Sequence, residues 1–462
     1  MSFQDLLDPS PQKGVLILGR GKTGEAVFDF FQKRNVSAWV FDEAKPHSLV
    51  RLEDIPWGHL AFLVQSPGFP PSHPVCLQAH KKNLPILSDI DIFRQCTVEM
   101  RCVGVTGTNG KSTTTALIGH VLQQHFPKVF VGGNIGAPVL TLPLPDTLPP
   151  GSAPVYVLEL SSFQLELANS LSLEAAVWTN LTEDHLTRHQ TIEKYSAAKR
   201  KIFTDAKACF VGVDDAFSHD VYTQLKQQGR AVSSFSLAQG ADYCVDVQGM
   251  LWGQTSQGAR PIFSLAKHPY LSGCHNFQNM GLAYGVAKFF GLADKDIAEG
   301  IFSFRGLPHR LERCGTWNGI IFINDSKATN AASTLQALRS FPNDSLFLIA
   351  GGRPKSDGLT PAISAMHNVK KVFLIGEASE RFAQELKEHS NIPFAFCPTL
   401  DRALHEAFLE AQRAAPPKGA PIILLSPACA SFDQFSSFEE RGDCFKNCVQ
   451  NLLKKGGHNG AT

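Results

Sequence analysis

The chain has no excess charge of either sign, no paired cysteine spacing and no apolar run long enough to cross a membrane. Its 462 residues hold 43 Lys and Arg against 42 Asp and Glu, a formal net charge of +1. That balance carries no electrostatic footprint of a nucleic-acid binder, and no nucleic-acid partner is expected. Charged residues are only 18% and hydrophobic residues 43%, enough apolar material for packed cores and too little charge for a disordered chain. The eleven cysteines lie scattered between Cys76 and Cys448 without a CxxC, which argues against a disulfide framework or a zinc cage. Cys444 and Cys448, four apart, read as structural thiols. Apolar stretches such as 15–18 and 422–425 are strand-sized, far short of the ~20 residues of a membrane helix. No basic region followed by an apolar one opens the chain. A protein of a reducing, cytoplasmic compartment with no membrane partner is expected.

What the chain does have is a rhythm of short β-branched runs and longer amphipathic stretches, the βαβα pattern of a parallel sheet. Its length fits two or three domains. Three times an apolar run leads into a polar turn and then a helical pattern: 14–18 into 19–24, 101–105 into 106–112, and 320–323 into 324–330. Each is a candidate start of an α/β domain. The expected fold class is therefore α/β with three domains on mostly parallel sheets, spanning 1–97, 98–305 and 306–462. Residues 141–154 are rich in proline and read as a loop inside the middle domain, and 454–462 as a frayed tail.

The first turn, Gly19-Arg20-Gly21-Lys22-Thr23-Gly24, fits G-x-G-x-x-G, with Asp42 after the next expected strand. Such a loop lets backbone N–H groups approach a pyrophosphate while the acid takes a ribose hydroxyl. A dinucleotide, a uridine diphosphate and a tight turn without ligand all satisfy it. The second turn says more. Gly107-Thr108-Asn109-Gly110-Lys111-Ser112-Thr113 offers successive backbone N–H groups, a lysine for phosphates and a hydroxyl for Mg²⁺. It departs from G-x-x-x-x-G-K-[ST] in having Val105 where the first glycine would stand.

A triphosphate loop needs an acid for its metal, and Glu159 follows the apolar run 155–158, where an acid points into the ligand crevice. Asn134 lies in a glycine turn between these two elements. His185 and His189 are spaced i, i+4, but no glutamate follows His185 and no third zinc ligand is apparent. On composition alone Lys199, within Tyr195-Ser196-Ala197-Ala198-Lys199-Arg200-Lys201, is a surface lysine on a helix.

At residues 106–113 and at Glu159-Leu160-Ser161-Ser162-Phe163-Gln164-Leu165, the sequence resembles the Mur ligases. These are ATP-dependent amino-acid ligases that build the peptidoglycan stem peptide. The resemblance continues through Gly273-Cys274-His275-Asn276-Phe277-Gln278-Asn279, Gly306-Leu307-Pro308-His309-Arg310 and residues 324–330, in order along nearly the whole chain. The first glycine loop and residues 425–435 bring it nearest to the members that add D-glutamate to UDP-N-acetylmuramoyl-L-alanine. The resemblance implies a Rossmann-like first domain, a P-loop ATPase-like middle domain and a Rossmann-like last domain. It also implies a monomer that turns over three small molecules (ATP, D-glutamate and the UDP-linked precursor) through an acyl phosphate.

Site roles follow from the same resemblance. Gly107, Thr108, Asn109, Gly110, Lys111, Ser112 and Thr113 would hold ATP phosphates, with Asn279 at the adenine and Arg310 and Asp325 gripping ATP from the last domain. Two Mg²⁺ ions would be held by Ser112, Glu159, His185 and a carbamate formed on Lys199, which reverses the surface reading of that lysine. Lys111, His185, Lys199 and Lys327 would be the catalytic set. Thr23, Asp42, Ser66 and Asn134 would contact the UDP substrate, and Thr329, Lys355, Ser431, Phe432 and Phe438 the D-glutamate. Two positions depart from the family pattern: Arg353-Pro354 near Lys355, where an aspartate is usual, and Lys22, where an apolar residue is usual. A folylpolyglutamate synthetase would lack the first glycine-loop domain. An NAD-dependent oxidoreductase would leave residues 107–113 and Glu159 without a role. A nucleotide-binding regulatory protein would show no turnover.

Overall fold

The computed structural model describes residues 13–97, 100–169, 171–266, 268, 270–271, 274–354, 358–414 and 419–457, with backbone alone for Cys274, His275 and 455–457. Two compact units emerge, Met1–His268 with Cys274–Phe304, and Pro269–Gly273 with Arg305–Thr462.

The first unit holds two sheets. β1 (Gly14–Leu18), β2 (Ala38–Phe41), β3 (Leu60–Gln65) and β4 (Ile86–Leu87) form a four-stranded sheet in the order β2-β1-β3-β4, parallel throughout. All five residues of β1 are buried, which is why it reads as a continuous apolar run rather than an alternating one.

The second sheet takes β5 (Arg101–Thr106), β6 (Val129–Gly133), β7 (Val155–Glu159), β8 (Ala175–Trp178), β9 (Ala208–Gly212), β10 (Val232–Ser236), β11 (Tyr243–Val245), β12 (Met250–Thr255) and β13 (Gly258–Ser264). Its order is β13-β12-β11-β10-β9-β8-β5-β7-β6. The run from β6 to β11 is parallel, and a terminal meander adds β12 and β13 antiparallel.

These two sheets share a core. Val15, Ile17, Phe31 and Phe62 belong to the same buried cluster as Val139, Tyr156, Leu158 and Trp178, and the Phe93 ring meets Tyr156 edge to face at 5.0 Å. Aromatic side chains that bury this much surface hold the layers together.

The second unit carries β14 (Glu312–Trp317), β15 (Ile320–Asn324), β16 (Ser345–Gly351), β17 (Val369–Ile375), β18 (Phe394–Phe396) and β19 (Pro421–Leu425), ordered β14-β15-β19-β16-β17-β18. Among the described residues only the edge strand β14 is antiparallel. Alternate residues go to opposite faces: Leu346 and Leu348 join one buried cluster, Phe347 and Ile349 the other. A long helix, Phe438–Gly457, closes the unit. It runs through 454–457, which the sequence suggested were frayed; 458–462 lie outside the described residues.

In all three sheets the chain steps to one side of a strand and later returns to its other side. A ligand crevice opens at the carboxyl ends beside such a switch point. All three polar turns read from the sequence lie at these ends.

Candidate active site

β5 ends at Thr106 and the helix Lys111–Gln123 begins four residues after it. The turn between them needs its glycines: Gly107 has φ +144° and Gly110 φ +81°. A Cβ at Gly107 would overlap Thr179 Oγ1, and one at Gly110 would overlap Asn279 Oδ1. The loop after β8 braces the turn from behind. Thr108 N donates to Asn180 O at 2.9 Å, Asn109 N to Asn180 Oδ1 at 2.8 Å, and Thr179 Oγ1 to Asn109 O at 2.6 Å. Lys111 Nζ donates to Thr108 O at 2.7 Å. Ser112 and Thr113 are buried in the first helical turn, where N–H groups lack intrahelical acceptors and favour an anion. Asn279 Oδ1 accepts from Thr114 Oγ1 at 3.1 Å, which draws the helix Cys274–Phe289 to the same turn.

Glu159, last residue of β7, is 2% exposed. Its Oε1 accepts from Asn134 Nδ2 at 2.7 Å, and Asn134 N donates to Glu159 O at 2.9 Å. Its Oε2 is buried and has no hydrogen-bond partner among the described residues. A buried carboxylate oxygen with no donor is costly, and a cation beside it removes the cost. Among the described residues no group of three or more His, Cys, Asp or Glu could cage a metal. The residues present thus fit Mg²⁺ held by one carboxylate, a hydroxyl, water and substrate phosphates.

Lys199 is 1% exposed, which overturns its reading as a surface lysine. Its Nζ donates to Gly107 O at 2.7 Å and lies 4.8 Å from the Tyr195 ring centre. Burial, with the charge of Lys111 added, pushes its amine down to about 6. His185 is exposed, in left-handed backbone at φ +53°, and faces Asp184 at 3.5 Å. His189 is buried with Nε2 3.0 Å from Ser162 Oγ. The two histidines of the i, i+4 pair thus differ in exposure and in partners.

At the first sheet, Asp42 Oδ2 accepts from Arg20 N at 2.7 Å, and Ser66 Oγ donates to Gly19 O at 3.1 Å. The acid and the serine both hold the glycine turn from neighbouring strands. Thr23 is half-buried in the first turn of the helix Lys22–Gln32.

In the second unit Asp325 is buried, with Oδ2 accepting from Ser426 Oγ at 2.8 Å and Oδ1 from Leu311 N at 3.2 Å. Burial raises its carboxyl to about 7. Arg310 and Thr329 are half-buried. Lys327 Nζ stands 6.0 Å from the Phe438 ring centre. Ser431 is buried, whereas Phe432 is 61% exposed. Lys355 lies outside the described residues.

Arg441 escaped the sequence reading. Its buried guanidinium donates to Ser326 Oγ and Ser326 O, both at 3.0 Å, and to Cys429 O at 3.0 Å. One cation thereby ties the turn after β15 to the turn after β19. Nothing local in an Arg on a polar helix announces that burial.

Comparison with known proteins gives a consistent picture. Residues 105–287 match the Mur ligase middle domain, and 309–429 match the Mur ligase, glutamate ligase domain. A UDP-N-acetylmuramoylalanine–D-glutamate ligase of Rhodospirillum rubrum is 41% identical, over 94% of this chain and 94% of its own. One of Paramagnetospirillum magneticum is 40% identical, over 95% and 96%. Among solved structures, a UDP-N-acetylmuramate-alanine ligase of Thermotoga maritima superposes with a TM-score of 0.57 at 16% identity, covering 95% of this chain and 99% of its own. A MurF ligase of Thermotoga maritima in complex with ADP gives 0.55 at 18%, covering 96% of each. At those identities the structures speak for the fold alone. The sequence relatives span nearly the whole chain, including the glycine turn and the buried acid, and on that ground the chain belongs to the Mur ligase family.

Proposed function

We propose that this protein uses ATP to join D-glutamate to UDP-N-acetylmuramoyl-L-alanine, in cytoplasmic synthesis of peptidoglycan precursors. The observation that carries the ATP-dependent chemistry is the bare Oε2 of Glu159 on the strand next to the braced glycine turn. The choice of D-glutamate rests on the names of relatives that are 36–41% identical over most of the chain.

A carboxylate does not condense with an amine in water without activation. The terminal L-alanine carboxylate attacks the γ-phosphorus of ATP, ADP leaves, and an acyl phosphate forms. The D-glutamate amine then attacks the acyl carbon. The tetrahedral adduct loses inorganic phosphate and a proton to give the amide. Residues 107–113 bind the phosphates through backbone N–H groups, and Lys111 offsets charge as two anions approach. Asn279 takes the adenine, and Arg310 and Asp325 are assigned to ATP as well. Two Mg²⁺ ions, when bound, lower the charge on the phosphoryl oxygens; Ser112, Glu159, His185 and Lys199 are the residues that would hold them. Lys199 serves as a ligand once its amine has added CO₂, forming an N–C bond and releasing a proton. Thr23, Asp42, Ser66 and Asn134 take the UDP substrate. Lys327 works near the ATP phosphates, while Thr329, Lys355, Ser431, Phe432 and Phe438 take the amino acid. The working form is a monomer.

The test is phosphate release from ATP and Mg²⁺ with UDP-N-acetylmuramoyl-L-alanine, adding D-glutamate or each common L-amino acid in turn. Release with D-glutamate alone, and a product heavier by one glutamyl residue, is expected. Release with a different amino acid would move the chain to a sister activity, and silence with all of them would overturn the ligase reading.

A further inference from the structure

Glycine is a poor residue inside a helix, yet Gly442 lies within the first turns of the helix Phe438–Gly457 and is buried there. The reason is the side chain it faces: a Cβ at Gly442 would overlap His309 at the imidazole Nδ1. His309 is buried and sits in left-handed backbone at φ +60°, which a non-glycine residue adopts only when its surroundings impose it. Three contacts impose it. His309 N donates to Glu312 Oε2 at 2.8 Å. Its Nδ1 lies 3.1 Å from Asn324 Nδ2, which also donates to Gly442 O at 3.1 Å. Its carbonyl oxygen accepts from Lys327 N at 3.0 Å.

The imidazole is thus seated against bare helix backbone, and the same residue grips the backbone of Lys327 and precedes Arg310. We infer that Gly442 is a positioning residue for nucleotide binding, which sets Arg310 and Lys327 through His309. It touches no substrate. The absent side chain admits the imidazole, and the imidazole fixes the loop from which Arg310 projects and the turn that carries Lys327. This inference rests on the ligase reading for what those two cations do.

The test is a double-mutant cycle of Gly442→Ala and His309→Ala in the full-length chain. Alanine favours the helix, so loss in Gly442→Ala comes from the displaced ring and not from helix propensity. Gly442→Ala should raise the KM for ATP about tenfold, with the KM for the UDP precursor unchanged. His309→Ala alone should raise the KM for ATP as well. Because removal of the ring makes room for the methyl group, the double variant should be no worse than His309→Ala, a strongly non-additive result. Ordinary KM for ATP in Gly442→Ala, or effects that multiply in the double variant, would overturn the inference. If Gly442→Ala does not fold, the double variant must fold, and its failure would equally overturn the steric argument. Failure of the ligase reading would look different, as no phosphate release by the unaltered chain with any amino acid.

Discussion

Glu159 and Asp325 are both buried acids at the carboxyl ends of parallel strands, and they are left in opposite conditions. Glu159 receives one donor, Asn134 Nδ2, and its second oxygen is bare. Asp325 has both oxygens taken, by the Ser426 hydroxyl and by Leu311 N–H, and burial raises its carboxyl to about 7. Burial disfavours the charge on Asp325. Asp325 answers that within the fold, with local donors and a tendency to keep its proton. Glu159 is left needing something from outside the chain.

Replacement of each acid by its amide tests the contrast. Glu159→Gln keeps an acceptor for Asn134 and should leave the unfolding free energy within about 0.5 kcal/mol, while phosphate release falls by about 10²–10³-fold. A loss of several kcal/mol would show that Glu159 is held for stability and erase the distinction. Asn134→Ala removes the group that aims Glu159 and should raise the Mg²⁺ concentration for half-maximal activity about tenfold, read from a metal titration at saturating ATP.

For Asp325 the sign of the pH effect is fixed by its raised carboxyl. Between the ordinary 3.8 and about 7 the folded chain keeps a proton that the unfolded chain has released. Its contribution therefore declines as pH rises through that window and is level above it. Asp325→Asn should flatten the dependence of unfolding midpoint on pH there, and an unchanged profile would show that Asp325 does not titrate late. The smallest effect belongs to Ser426→Ala, about 1 kcal/mol of stability. Loss of that donor should also move the Asp325 transition to higher pH.

The glycine turn and the place of Glu159 were legible in the sequence because their signals are local: glycines, a lysine and hydroxyls in one run, and an acid directly after an apolar strand. The three parallel-rich sheets were legible for the same reason, since β1, β5 and β15 are short buried runs followed by polar turns. Lys199 was not, because the helix Ile192–Arg200 is polar in composition and its burial depends on Gly107 and Tyr195, set by packing over long sequence distances. Arg441 and Gly442 were hidden similarly. Their partners Ser326 and His309 are more than a hundred positions away, and no periodicity reports such a contact.

Asn134 grips Glu159 twice, through its backbone N–H and through its side-chain amide. Any ligand that seats against this asparagine meets a group already turned toward the acid, and displacement of one disturbs the other. If the UDP precursor binds at the asparagine and a cation at the acid, as proposed, any factor by which one alters the other's affinity is returned in full. Titration of the metal with and without the UDP precursor would read that coupling as a single number, whichever of the two is added first.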